Sequence, residues 1–235
     1  MSRLAGRIAL ITGASRGIGA AVAKRFAAEG AHVILTARTT GALEEVDDAI
    51  QKETGANATL VTLNLMEFDK IDQLGQAIFE RFGRLDIVVG NAAVLETLGP
   101  IATYDPKHWH RIMDTNVTAN YRLIRSTDRL LRASDAGRAI FVTSGAAHGP
   151  THYWGPYAAS KAALEMMVQT YALEVSKSNL RVNLVDPGVV RTRMRTQAFP
   201  GEDPNTLPPP ESVTGPFVDL ADPACTRHGE IVRAY

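Results

Sequence analysis

The sequence predicts an α/β fold, a doubly wound parallel sheet of about seven strands with helices on both faces, in three layers. Two observations carry that expectation. Short, β-rich apolar runs alternate along the chain with helix-length amphipathic segments. Apolar strands alternating with helices imply a parallel sheet covered on both sides, and right-handed crossovers then wind it in both directions. The length is the third guide: 235 residues make one domain, 1–235, and no repeat of solenoid period interrupts it.

The expected strands are residues 7–12, 32–36, 59–63, 86–89, 139–143, 181–185 and 230–232. After the first, Gly13, Gly17 and Gly19 form a turn, and a helix begins near Ile18. Ala20, Ala21 and Ala23 keep that helix slim against the sheet. Ile71, Leu74, Ile78 and Phe82 recur at helical spacing. Two long helices are expected around residues 109–131 and 157–175. The stretch from Phe199 to Phe217 carries six of the 12 prolines, so no regular helix or strand is expected there. Residues 193–216 are read as an excursion from the end of a strand, where ligands sit, and so as a lid or substrate wall.

Composition bounds the function. Lys plus Arg and Asp plus Glu number 25 each, so the formal net charge is zero. Nucleic-acid and anionic-membrane partners need a basic excess, and none is expected here. No apolar run reaches the roughly 18 to 20 residues of a membrane span. The chain enters its first strand at Arg7 with no signal-peptide pattern ahead of it. Cys225 is the only cysteine, which excludes an intrachain disulfide and suits the cytoplasm. His148 and His152 have metal-ligand spacing only on a helix, and Gly149-Pro150 lies between them, so no metal site is expected.

The loop "TGASRGIG", Thr12 to Gly19, lacks the Lys of a P-loop and the third glycine of the common dinucleotide fingerprint. Its glycines still let a backbone approach an anion, and a helix N-terminus offers N–H groups to a pyrophosphate. A chain that binds NAD usually has an acid about 20 residues on. Here Ala37 stands at that place, followed by Arg38, and Arg16 lies in the loop. One guanidinium 4 Å from a phosphate charge is worth about 4 kcal/mol before screening. NADP(H) is therefore expected over NAD(H).

Tyr157 and Lys161 are four residues apart in a helix-forming segment, on one face. A nearby ammonium favours phenolate, and a phenol tuned that way can serve as a general acid or base. Ser144, at a strand end, can hold a substrate oxygen beside it.

Together Thr12-Gly13, Gly17-Ile18-Gly19, Asn116, Ser144, Tyr157 with Lys161, and Pro187-Gly188 resemble the single-domain short-chain dehydrogenases/reductases, a branch with a Rossmann fold. The resemblance runs from about Gly6 to Thr192 and more loosely from Glu211 to Val232. It implies a hydride passed between nicotinamide and a carbonyl or secondary alcohol, with Tyr157 as proton donor or acceptor. Lys161 would hold the nicotinamide ribose and lower the Tyr157 pKa, and Ser144 would polarise the substrate oxygen. Asn116 would distort its helix and keep a water behind Lys161. Thr192 and Val190 would contact the carboxamide end, and Asn64, in place of an Asp, the adenine. Ser15, Ile18, Leu65, Asn91 and Ala92 complete the implied cofactor set.

One departure stands out. The family's N-N-A-G stretch reads Gly90-Asn91-Ala92-Ala93 here. Gly90 removes a side chain that ties the sheet together, and Ala93 disfavours positive φ. An epimerase or dehydratase of the extended branch would show T-G-x-x-G-x-x-G and a larger C-terminal domain, and neither is present. The other alternative is an NADP(H)-binding sensor or scaffold without turnover, a class that commonly loses the Tyr or Lys. Val94, Leu95, His148, His152, Tyr153 and Trp154 are expected to wall the substrate site. A 3-oxoacyl substrate on a carrier protein stays open, although no basic docking patch stands out. The apolar surface of the two long helices points to a homodimer or homotetramer.

Overall fold

All seven apolar runs form strands in the computed structural model, which describes residues 2–235. They are β1 (Ile8–Thr12), β2 (His32–Ala37), β3 (Thr59–Thr62), β4 (Ile87–Gly90), β5 (Arg138–Val142), β6 (Arg181–Asp186) and β7 (Ile231–Arg233). They make one sheet in the order β3-β2-β1-β4-β5-β6-β7, with every pairing parallel. Alternate strand residues feed opposite cores, as the two-residue period of a strand requires. Ala9, Ile11, Val33, Leu35, Ile87, Val89, Ile140 and Val142 face one side. Leu10, Ile34, Val88, Ala139, Phe141 and Leu184 face the other.

The first side is covered by α1 (Gly17–Ala28), α2 (Thr40–Thr54) and α8 (Gly215–Ala221), whose Val22, Phe26, Leu43 and Phe217 are buried there. The second is covered by α3 (Phe68–Phe82), α5 (Ala119–Arg132) and α6 (Gly155–Val175), through Ile71, Leu74, Leu123, Leu164 and Val168. The helix expected over 109–131 begins earlier, as α4 (Pro106–Met113), with Asp105 capping it by accepting from the Lys107 amide. It runs through a π-turn, Asp114–Thr118, into α5.

The excursion departs from expectation at its end alone, since regular structure was excluded only from Phe199 onward. Its start is a short helix, α7 (Arg193–Ala198), capped by Thr192. Its end is the first turn of α8, which accommodates Pro216 because the first-turn N–H groups have no intrahelical partner anyway. Between them lie two 3-10 turns, Pro204–Thr206 and Pro210–Val213. Among the described residues no helix is long and apolar enough to cross a membrane.

Candidate active site

Strand order reverses at β1, which pairs with β2 on one side and β4 on the other. Ligands of doubly wound sheets bind at that point, above the C-terminal strand ends. A cleft of about 1130 Å³ opens there. It is lined by Gly13, Ser15, Arg16, Gly17, Ile18, Arg38, Asn64, Leu65, Asn91 and Ala92 at one end. Ser144, Tyr157, Lys161, Pro187, Gly188, Val190 and Thr192 line the other. Of the residues expected from sequence, Gly19 and Asn116 lie behind this lining.

Gly13 takes φ +66, and a side chain there would meet Asn91 and Ala92 at 3.0 Å. Gly19 starts the helical packing: a Cβ would stand 2.5 Å from Asn91 Nδ2. That amide donates to Thr12 O at 2.9 Å and Gly13 O at 3.3 Å, while the Asn91 and Ala92 N–H groups both donate to Thr12 Oγ1. Asn91 therefore clamps the glycine loop onto the end of β4. The N-terminus of α1 has no side-chain cap, and its first residues, Gly17 and Ile18, line the cleft.

The Gly90 departure is compensated. A Cβ on Gly90 would lie 2.7 Å from Asn120 Oδ1 and equally near Phe141 Cε1, so α5 and β5 fill the space from the other side. Ala93 does not need the positive φ that was in question.

The Arg16 and Arg38 guanidiniums are exposed at the cleft, and among the described residues neither pairs with a carboxylate. Thr36, at the end of β2 beside them, has a buried hydroxyl without a partner. Free cations, an orphan hydroxyl and a glycine cradle fit a phosphorylated nucleotide.

At the other end the π-turn carries Asn116, fully buried. Asn116 Oδ1 accepts from the Val94 amide at 2.9 Å, and its Nδ2 donates to Val94 O and Ser160 Oγ, each at 3.0 Å. Ser160 in turn donates to Tyr157 O at 2.7 Å. Asn116 thus ties the loop after β4 to the turn of α6 that carries Tyr157 and Lys161. Both of those side chains are buried, and Lys161 Nζ donates to Val142 O at 2.8 Å. Burial pushes the Tyr157 phenol up to about 12, opposed by hydrogen bonding with Ser144 and helped by the Asp186 charge. Burial also pushes the Lys161 ammonium down to about 8. Among these influences only Ser144 lowers the phenol, and desolvation outweighs it. The pair is thus a buried phenol pushed up and a buried ammonium pushed down, both chiefly by desolvation.

The family model described as short chain dehydrogenase matches residues 7–203. The chain belongs to the short-chain dehydrogenase family. The Escherichia coli K12 oxidoreductase YciK is 40% identical over 209 residues, 88% of this chain and 82% of YciK. A short-chain dehydrogenase from Escherichia coli CFT073, solved in complex with NADPH, superposes with TM-score 0.95 at 38% identity, covering 99% of this chain and 98% of its own. One from Shigella flexneri 2a, in complex with NADP, gives the same values.

The substrate side of this short-chain dehydrogenase differs in part from expectation. Val94, Leu95 and Trp154 line the cleft, but His148, His152 and Tyr153 do not. His148 turns away to Glu165, 3.0 Å from its Oε1, and the His148–His152 segment is not helical. Trp154 stands edge-on to Tyr157 with ring centroids 5.8 Å apart, and Phe199 lies 6.0 Å beyond. Phe199 is fixed from behind by Arg195, itself paired with Glu202. Gln197 of α7 donates to Glu96 O at 2.7 Å, so the excursion closes onto the loop after β4. Sequence reasoning missed Glu96, Gln197 and Asp186, all of them lining residues. No motif flags them; only a fold that brings strand ends together does.

Proposed function

We propose that this short-chain dehydrogenase is an NADP(H)-dependent carbonyl reductase or alcohol dehydrogenase, acting on a small-molecule ketone or secondary alcohol. The observation that carries the reading is one cleft with unpaired Arg16 and Arg38 at one end and half-buried Ser144 beside buried Tyr157 and Lys161 at the other. The 2′-phosphate would lie between the two guanidiniums, and the pyrophosphate over Gly13, Ser15 and the start of α1. The nicotinamide would lie toward Pro187, Val190 and Thr192. The similar structures solved with NADPH and with NADP support the same choice of cofactor.

When bound, NADPH supplies a hydride to the carbonyl carbon. Ser144 holds the substrate oxygen by a hydrogen bond, and Tyr157 gives that oxygen its phenolic proton. Lys161 steadies the phenolate that results. Such a positioned acid contributes about 10² to 10⁴ in rate. Trp154 and Phe199 exclude water from the reacting carbon, with residues 193–216 as the substrate wall. In oxidation Tyr157 takes the proton instead. Exposed Tyr121, Met166 and Leu173 on α5 and α6 support a homodimer or homotetramer.

The test is consumption of NADPH and of NADH by the full chain with a broad panel of ketones and aldehydes. Turnover with NADPH in preference to NADH is expected. NADPH binding with no consumption across the panel would instead establish a sensor or scaffold.

A further inference from the structure

We propose that Asp186 sets which oxidation state of the cofactor the site prefers: its buried carboxylate favours the cationic, oxidised nicotinamide over the neutral, reduced one. The proposal rests on the cofactor orientation given above.

Asp186 is the last residue of β6, 1% exposed, and lies on the cleft lining between Ser144-Gly145 and Pro187-Gly188. A Cβ on Gly145 would stand 3.6 Å from its Oδ2. Its hydrogen-bond partners are two donors, the Gly188 amide at 3.0 Å to Oδ1 and the Tyr235 hydroxyl at 3.3 Å to Oδ2. Tyr235 also packs against Gly188, where a Cβ would meet its ring at 2.5 Å. Among the described residues no Lys, Arg or His forms an ion pair with Asp186. Lys161, the buried cation of this cleft, donates instead to Val142 O.

A buried carboxylate without a counter-cation is costly, and such groups are ordinarily paired. The cofactor end expected here is the one group in the reaction that becomes a cation. In reduction two electrons and a hydrogen nucleus leave the dihydronicotinamide as hydride and bond to the carbonyl carbon. The oxygen takes the Tyr157 proton, and the ring is left with one positive charge. An anion close to that ring, in a poorly hydrated cleft, favours the product form of the cofactor and so hydride donation. The same charge raises the Tyr157 phenol, which keeps the proton in place for delivery.

A purely structural role is also visible, because the Gly188 bond shapes the Pro187-Gly188 turn. Two substitutions separate the roles. Asp186→Asn keeps an acceptor for the Gly188 amide and removes the charge; Asp186→Ala removes both. Dissociation constants for NADP+ and for NADPH are measured by calorimetry on wild type and both variants. Expected for Asp186→Asn is NADP+ weakened on the order of tenfold with NADPH changed less than twofold. That tenfold ratio raises the potential of the bound couple by about 30 mV. In Asp186→Ala the same ratio appears, with both cofactors weaker. A ratio within twofold of wild type in both variants overturns the proposal while leaving the NADP(H) reading intact. Wild type that binds neither cofactor overturns both.

Discussion

Charge placement decides the chemistry at the scale of single residues. Arg16 and Arg38 are exposed, so each contributes through a screened ion pair worth about 1 kcal/mol or slightly more. Replacing both with Ala is expected to weaken NADPH roughly 20- to 50-fold and NADH less than threefold. Fluorescence titration of the two cofactors checks this. Lys161 is the opposite case, a cation buried at a cost. Its folded pKa, about 8, lies below the ordinary lysine value of 10.5. Its contribution to stability is therefore complete above pH 10.5 and is lost as the pH falls through about 8. Lys161→Met removes that loss but leaves Val142 O without its donor. The cofactor-free protein should melt about 3 °C higher at pH 7, with the gain shrinking toward pH 10.5. Melting curves across that range decide it, and a variant that melts lower at pH 7 contradicts the assignment. The cations and the Tyr-Lys pair were legible in the sequence because spacing along a strand-turn-helix unit sets their positions. Asp186, Glu96 and Gln197 were not, since a lone polar residue has no period to betray it.

Element boundaries show the same division. Each strand was legible because its apolar run had nowhere to go but a sheet buried on both faces. The π-turn Asp114–Thr118 was not legible in local propensity. It is held by tertiary partners of Asn116 on two other elements. Asn120 Nδ2 donates to Asn116 O at 2.9 Å from the following turn of α5, while its Oδ1 faces Gly90. Asn120 therefore occupies the space that a side chain at position 90 would take. Gly90→Asn alone overpacks this space and should cost about 1 to 3 kcal/mol. Adding Asn120→Ala should recover part of the loss in thermal melts. Strictly additive losses would show that the two positions do not share the space.

Across the whole molecule, two ends of the sheet do different work. The C-terminal end is open and carries the cleft, with Gly13, Arg38, Asn91, Ser144 and Asp186 all at or just beyond strand ends. The opposite end is closed by Arg138, whose guanidinium is buried and donates to five backbone carbonyls, those of Gly137, Asn179, Asp222, Pro223 and Cys225. Burial pushes that guanidinium below its usual range. It fastens the segment after α8 and so guides the chain into β7, which brings Tyr235 to the cleft. The glycine loop and the Tyr157–Lys161 pair are about 140 residues apart in sequence, and the fold places them along one cleft.

The proposed function stands or falls with Tyr157 as the proton donor in an NADPH-linked reduction. The most direct test is single-turnover oxidation of bound NADPH with an active ketone, wild type against Tyr157→Phe, with the NADPH dissociation constant measured on both. The account predicts a rate loss on the order of 10² to 10⁴ in the variant with NADPH affinity changed less than twofold. A variant that keeps its rate within a few-fold of wild type contradicts it.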